Sequence, residues 1–216
     1  MVMIAAKKRF IAPATLEEYL AFEAKSEGKH EFINGKIVEM PGATGPHCIA
    51  AVNIATSIKK ALKDKKASYF VMGSDMKIYI EDIDQVRYPD AVVICDELIY
   101  HNDSSKMMLL SPLLIGKVLS PSTQEFDRTT KFEQYKHLPS FKEYLLVHQE
   151  RPLVSTYFRE EEDLWRIRST KGLDQHVPLR SIEVELALED IYEHIEFEEK
   201  LNSTQIEPEE SMQTKS

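Results

Sequence analysis

The feature that most constrains this chain is an apolar run that begins immediately after a Pro-Asp dipeptide. In the segment Arg87-Tyr-Pro-Asp-Ala-Val-Val-Ile-Cys95, Asp90 precedes an unbroken series of apolar residues. Such a run, rich in β-branched residues and preceded by a turn dipeptide, predicts a buried strand. Asp90 is therefore expected at the edge of a sheet. Pro-Asp is also common in ordinary turns, so the motif alone leaves a purely structural role open.

A second buried strand is predicted over residues 112–119, followed at once by Ser120-Pro-Ser-Thr123. Ser122-Thr-Gln-Glu125 has the pattern of a capping box, so we expect a helix from here to about Leu138. Two consecutive buried strands and a capped helix would bring polar residues at their ends close together. This arrangement strengthens a functional interpretation of the Pro-Asp motif.

The predicted helix carries Asp127, Lys131 and Tyr135, which are spaced four residues apart. Each step of four residues turns about 400° around a helix, so the three side chains form one gently spiralling stripe. The structural alternative is a solvated ion pair beside a half-buried tyrosine, worth a few tenths of a kcal/mol. The spacing alone does not separate these alternatives.

The remaining segments predict a mixed α/β (α+β) architecture. Thr15-Leu-Glu-Glu18 is a capping box that opens a helix to about Lys25, and Asn34-Gly35 centres a β-hairpin over residues 30–40. Further strands are predicted over residues 68–72, 76–80, 143–148, 153–158, 164–169 and 182–185, and further helices from 47 to about 62 and from 188 to 194. We expect a mixed β-sheet flanked by helices and preceded by the N-terminal helix and hairpin.

Charge and apolar content divide the chain into regions. Residues 1–66 carry a net charge of +4, residues 67–192 of −8 and residues 193–216 of −5, which gives −9 for the whole chain. We expect a flexible N-terminus over 1–9, one folded domain over 10–197, and a disordered acidic tail over 198–216, where apolar residues are scarce.

An acidic middle suits a cation site. A basic cluster within the first region suits nucleic acid, and consists of Lys59, Lys60, Lys63, Lys65 and Lys66.

The location predicted for the protein is the cytoplasm, without a membrane partner. No early segment has the pattern of a signal peptide, and no apolar run approaches the roughly 20 residues that span a bilayer. Cys48 and Cys95 lie far apart and outside any CxxC pair, which favours two free thiols in a reducing compartment over zinc ligation.

An ordered series of motifs resembles one bacterial family. The matching segments are Glu31-Phe-Ile-Asn-Gly-Lys-Ile-Val-Glu-Met40, His47, Tyr88-Pro-Asp-Ala-Val-Val93, Val118-Leu-Ser-Pro-Ser-Thr123, Asp127, Lys131, Tyr135 and Glu143-Tyr-Leu-Leu-Val147. Together they resemble the Uma-two (Uma2) family, which is grouped with the restriction endonucleases of the PD-(D/E)XK nuclease superfamily. The resemblance covers about residues 10–197 and implies a restriction-endonuclease-like fold.

The resemblance also implies a site for Mg²⁺ or Mn²⁺. In that superfamily an Asp and a Glu on adjacent strands hold the metal, and a lysine helps to position or activate the attacking water. The metal lowers the pKa of a bound water and neutralises phosphate charge. Carried over, Asp90 is the first carboxylate and Lys131 the basic residue, with Asp127 and Tyr135 beside it. Glu31 and His47 match positions that border the site, although His47 could also be an ordinary loop residue.

Lys117 is the main departure from the family pattern. The second carboxylate is expected immediately before Val-Leu-Ser-Pro-Ser-Thr, and this chain has Lys117 there. With an effective dielectric constant near 20, an ammonium about 4 Å from a divalent cation is repelled by at most roughly 8 kcal/mol. Two interpretations stay open at this point. Either Lys117 pairs with Asp90 and catalysis is lost, or Glu31 or Asp127 supplies the second carboxylate.

Three functions are therefore compared. The first is a Mg²⁺-dependent endonuclease that hydrolyses phosphodiester bonds in DNA, with Asp90 and Glu31 as metal ligands. The second is a catalytically inactive nuclease-fold protein that binds nucleic acid or a protein partner. The third is an unrelated α/β binding protein. DNA is expected to bind weakly and chiefly through its phosphates, and a homodimer is compatible with the resemblance.

Overall fold

The computed structural model describes residues 10–102 and 105–197. The predicted flexible N-terminus and disordered tail lie outside the described residues. The strands are β1 (Phe10–Pro13), β2 (His30–Ile33), β3 (Lys36–Glu39), β4 (Tyr69–Gly73), β5 (Lys77–Ile80), β6 (Gln85–Arg87), β7 (Ala91–Cys95), β8 (Met108–Leu109), β9 (Leu114–Leu119), β10 (Glu143–His148), β11 (Leu153–Arg159), β12 (Trp165–Lys171), β13 (His176–Leu179) and β14 (Val184–Ala187). The helices are α1 (Leu16–Glu23), α2 (Gly45–Ala61), α3 (Gln124–Phe126), α4 (Phe132–Tyr135) and α5 (Leu188–Ile191), with a 3₁₀ turn at Glu81–Ile83 and a π-helical turn at Asp127–Lys131.

Two six-stranded sheets and a small hairpin make up the β-structure of the described residues. The first sheet has the order β1-β3-β2-β6-β5-β8, and the second has the order β12-β11-β10-β9-β7-β4. β9 and β10 pair in parallel, which makes the second sheet mixed. Helix α2 and the hairpin β13–β14 pack on one face of the second sheet, and α4 packs on the other. The expected mixed α+β class is confirmed, although two large sheets replace the single expected sheet. No helix of the described part is long and apolar enough to cross a membrane.

Local sequence signals account for the N-terminal elements. The Thr15 side chain accepts from the Glu18 backbone N–H at 3.2 Å, while the Glu18 carboxylate accepts from the Thr15 N–H at 2.8 Å, so the predicted capping box of α1 is formed. Asn34 and Gly35 both have positive φ, at 50° and 69°. These values are typical of the two central residues of a type I′ hairpin turn, which joins β2 to β3 as predicted.

The run from Arg87 to Cys95 forms two strands instead of the single strand that was predicted. β6 ends at Arg87 in the first sheet, and β7 begins at Ala91 in the second. Pro89 lies between them and has no N–H to donate to a ladder. The Asp90 N–H donates to the Gly116 carbonyl of β9 at 3.0 Å. Asp90 therefore lies where the chain crosses from one sheet to the other.

The segment after β9 also departs from the prediction. The capping box at Ser122–Glu125 is not formed, because Thr123 is the N-cap of α3 and no side chain makes a capping hydrogen bond there. The Thr123 hydroxyl instead donates to Asp127 at 2.7 Å. The helix is interrupted by the π-helical turn between α3 and α4. An expanded turn of this kind changes the direction in which the following side chains project.

Gly116 lies in the buried strand β9, where a β-branched residue would ordinarily be favoured. A Cβ atom at this position would lie 3.2 Å from Cβ of Ala91 and 3.6 Å from Cγ2 of Ile54. The glycine therefore allows β7 and helix α2 to approach β9 closely. Close backbone approach is a recognised reason for a glycine within a strand.

Candidate functional site

Asp90 is buried at the head of β7, with 6% of its surface exposed. Its Oδ2 atom accepts from the Val118 backbone N–H at 2.7 Å and lies 2.9 Å from Nζ of Lys117. Its Oδ1 atom lies 3.1 Å from Nε2 of His47. Both carboxylate oxygens therefore have close partners. We call Asp90, Lys117 and His47 the Asp90 cluster.

The electrostatics of this cluster favour an ionised Asp90. Burial opposes the charged carboxylate, but the Lys117 ammonium and the His47 imidazole outweigh burial and hold the pKa of Asp90 well below its usual range. Asp90 is therefore a carboxylate whose charge is already compensated by an adjacent cation.

Three separate elements bring these side chains together. Ile115, Lys117 and Leu119 are every second residue of β9, so their side chains project from the same face of the sheet. This is the face that packs against α4. His47 lies in the first turn of α2, where its backbone N–H donates to the Thr44 cap at 3.4 Å. The structure thus places His47 in a helix and in contact with Asp90.

A second group of charged side chains lies beneath the N-terminal hairpin. Glu31 on β2 and Arg87 on β6 are buried, and Nη1 of Arg87 donates to Oε2 of Glu31 at 2.6 Å. The other guanidinium end of Arg87 donates to the side chains of Gln85 at 2.7 Å and Gln134 at 2.6 Å. Arg87 therefore links the first sheet to helix α4.

Lys131 connects Glu31 to the π-helical turn. Its Nζ atom lies 3.0 Å from Oε1 of Glu31 and 3.2 Å from Oδ1 of Asp127. Asp127 and Lys131 are both buried, so the solvated ion pair considered from the sequence is not what forms. Burial disfavours the charged ammonium, but the two carboxylates outweigh it and raise the pKa of Lys131 above its usual value. We call Glu31, Arg87, Asp127 and Lys131 the Glu31 cluster.

Tyr135 is fully buried rather than half-buried, and its ring packs against Phe141 and Tyr144. Its hydroxyl has no hydrogen-bond partner among the described residues. Burial is the main cause that raises the pKa of Tyr135 above its usual value, so the hydroxyl stays protonated at neutral pH. Burial is also the main cause that raises the pKa of Tyr144 well above its usual value, and the charges of Tyr135, Asp127 and Asp90 add to it.

The charges of the two clusters nearly cancel. Each of the three carboxylates, which are Asp90, Glu31 and Asp127, contacts a lysine or an arginine. Mg²⁺ and Mn²⁺ need several oxygen ligands with an excess of negative charge. Among residues 10–102 and 105–197, no three side chains of His, Cys, Asp or Glu gather as metal ligands. As arranged here, the donor set does not fit a divalent cation.

Sequence reasoning missed three residues that the structure brings to the site. Arg87 lies within the Pro-Asp motif itself, where a basic residue three positions before the aspartate was an available signal. Arg128 and His148 contact each other at the carboxyl end of β10, through Nη2 and Nε2. No local pattern links these two residues, because they lie 20 positions apart and meet only through the fold.

A comparison with known protein families finds a match that spans both clusters. The family model described as "Uma2: Putative restriction endonuclease" matches residues 16–190, which include every residue of the two clusters. The chain belongs to the Uma2 family. Families of the restriction-endonuclease type generally use divalent metals. The ion pair between Lys117 and Asp90 is therefore unusual in a Uma2 member.

Two Synechocystis relatives support this membership. The protein slr1290, named as uncharacterized, is 32% identical over 181 residues, which cover 84% of this chain and 92% of the relative. The protein sll1609, also named as uncharacterized, is 34% identical over 158 residues, which cover 73% of this chain and 88% of the relative.

A solved structure confirms the fold. The crystal structure of "a putative nuclease belonging to DUF820" from Anabaena variabilis superposes with a TM-score of 0.65 at 21% identity. The match covers 83% of this chain and 98% of that chain. The restriction-endonuclease-like fold class predicted from the sequence is therefore confirmed.

Proposed function

We propose that this Uma2 protein binds nucleic acid through its nuclease fold without hydrolysing it by divalent-metal catalysis. The observation that carries the proposal is the 2.9 Å contact between Nζ of Lys117 and Oδ2 of Asp90. Lys117 stands at the position where the family resemblance expects the second carboxylate for Mg²⁺ or Mn²⁺, and its ammonium already compensates the charge of Asp90. A metal would have to displace a buried ion pair, which costs several kcal/mol.

The contacts of the other two carboxylates also support loss of the metal site. Glu31 lies between Arg87 and Lys131, and Asp127 lies between Lys131 and the Thr123 hydroxyl. Recruiting Glu31 as the second metal ligand would break its ion pair with the buried Arg87, and recruiting Asp127 would remove one of the two carboxylates that compensate the buried Lys131. This cost argues against Glu31 and Asp127 as replacements for the expected glutamate.

The family and the basic surface of α2 support nucleic acid as the partner. The family description names endonucleases, for which DNA is the expected substrate. Lys59, Lys60 and Lys63 are exposed at the end of α2, whereas Lys65 donates to the Glu183 carbonyl at 2.7 Å. In a chain of net charge −9, such local positive surface is needed to attract a polyanion. A solvated helix end, whose lysines favour the negative end of the helix dipole, is the structural alternative.

Plasmid nicking with Mg²⁺ or Mn²⁺ tests the catalytic part of the proposal. We expect no nicking by the wild type, and gain of nicking in Lys117→Glu, which restores the expected carboxylate. Lys142→Glu makes the same charge change at an exposed position and serves as the control. The double variant Lys117→Glu/Asp90→Ala should lose any activity gained, because it lacks the first carboxylate.

Metal binding provides a second measurement that does not depend on turnover. Mn²⁺ should raise the melting temperature of Lys117→Glu, since a ligand that binds only the folded state stabilises it. The wild type and Lys142→Glu should show no such shift. Nicking by the wild type that disappears in Asp90→Ala would overturn the proposal, whether or not Lys117→Glu folds.

A further inference from the structure

Arg128 is held in place by a histidine rather than by an acid. Its Nη2 atom donates to Nε2 of His148, the last residue of β10, and His148 is only 6% exposed. An imidazole nitrogen can accept this hydrogen bond only when it carries no proton. Among the described residues, Arg128 has no carboxylate within ion-pair distance. Its guanidinium is therefore oriented without being neutralised.

The surroundings keep His148 uncharged at neutral pH. Burial is the main cause, and the positive charges of Arg128 and Arg151 add to it, so that the pKa of His148 falls to about 4. Two exposed arginines, Arg166 and Arg180, differ in this respect. Arg166 and Arg180 both contact the Glu160 carboxylate, at 2.5 Å and 3.0 Å. Arg128 thus keeps its full positive charge, whereas the Glu160 carboxylate partly neutralises Arg166 and Arg180.

Arg128 and Lys117 face the same end of the same sheet. In the parallel pairing of β9 with β10, Lys117 is opposite Leu146, and Leu119 is opposite His148. Lys117 and His148 therefore project from one face, one strand and two residues apart, which separates their Cα atoms by about 8 Å. Asp90 compensates the charge of Lys117, whereas no carboxylate of the described residues lies within ion-pair distance of Arg128.

We propose that Arg128 forms a binding site for a phosphate group, in which His148 acts as the positioning residue of Arg128. The inference rests on the proposed nucleic-acid function and names the group that is bound. The planar guanidinium can donate two parallel hydrogen bonds to phosphate oxygens. The phosphate is either a phosphodiester of DNA or a free phosphate.

Paired variants test the site by its charge and by the positioning of Arg128. Arg128→Gln removes the cation, and His148→Asp retains Arg128 but neutralises it with a carboxylate. His148→Asn keeps a neutral side chain at the same position, and Arg166→Gln removes an arginine that already contacts Glu160. All four variants and the wild type are titrated with a DNA duplex at several salt concentrations, and separately with inorganic pyrophosphate.

We expect Arg128→Gln and His148→Asp to lower DNA affinity roughly tenfold and to reduce the salt slope by about 0.9, the value for one phosphate contact. His148→Asn and Arg166→Gln should bind as the wild type does.

Binding of pyrophosphate but not DNA, with the pyrophosphate binding lost in Arg128→Gln, would support the phosphate site and contradict the nucleic-acid function. Unchanged binding of DNA by both Arg128→Gln and His148→Asp would overturn the site while leaving the nucleic-acid function intact. Failure of the wild type to bind either probe would overturn both.

Discussion

Glu31 and Arg87 are opposite each other on two antiparallel strands and form a buried ion pair at 2.6 Å. The register of β2 and β6 pairs Phe32 with Val86, which places Glu31 next to Arg87 on one face. The second oxygen of Glu31 lies 3.0 Å from Nζ of Lys131. One carboxylate therefore connects the N-terminal hairpin to the helix that borders the Asp90 cluster.

Glu31→Gln should be strongly destabilising. The substitution leaves Arg87 and Lys131 buried without their common carboxylate, and breaking a buried pair in this way costs about 3–5 kcal/mol of unfolding free energy. Chemical denaturation measures the loss. Arg166→Gln breaks an ion pair whose arginine side chain is 62% exposed, and should lower the unfolding free energy much less, because solvent screens the pair. Equal effects of the two substitutions would contradict the role assigned to the Glu31 cluster.

Lys117→Met should change how stability depends on pH. The folded-state pKa of Asp90 is lowered, so its stabilising contribution is complete above the unfolded value of about 3.9 and is lost as pH falls toward the folded value. Without Lys117, the largest cause that lowers the pKa of Asp90 is gone, so this pKa rises and the contribution becomes smaller. The stability difference between wild type and Lys117→Met should be larger at pH 7 than near pH 3. A difference independent of pH would show that the pair does not control the ionisation of Asp90.

Gly116→Val should destabilise the protein despite the high strand propensity of valine. The added Cβ atom would lie 3.2 Å from Ala91 Cβ, and overpacking of this kind typically costs about 1–3 kcal/mol. Thermal unfolding measures the change. Gly73→Val is the matched control in β4, since a Cβ there would meet no atom within 4 Å. A more stable Gly116→Val protein would mean that α2 can shift away from β9.

Thr15→Ala and Ser122→Ala should differ, although both residues begin a capping-box sequence. Thr15 makes the hydrogen bonds of a cap, so its loss should cost about 0.5–2 kcal/mol. Ser122 is exposed and does not cap the segment that follows it, so its substitution should stay within about 0.5 kcal/mol. Urea denaturation of the two variants measures both values. A cost at Ser122 equal to that at Thr15 would indicate a cap that forms in solution.

Local elements were predictable wherever neighbouring residues define them. The capping box of α1 and the Asn-Gly turn were predicted correctly because their hydrogen bonds and backbone angles involve residues no more than a few positions apart. The strand over residues 143–148 was also predicted with its observed bounds. β1, β8 and β13 were missed. β1 and β8 pair with strands that are distant in the chain, so no local pattern identifies them. β13 pairs with the neighbouring strand β14, but it contains Pro178, a residue that is disfavoured within strands.

The sequence by itself determined that a lysine stands where the family resemblance expects the second carboxylate. It also indicated that Asp90 would lie at the head of a buried strand. Only the tertiary structure decided what Lys117 contacts, which charges surround Glu31, and that Arg128 meets His148. These contacts join residues far apart in the chain, and in a buried environment the energy of each charge depends on which opposite charge the fold brings within a few ångströms.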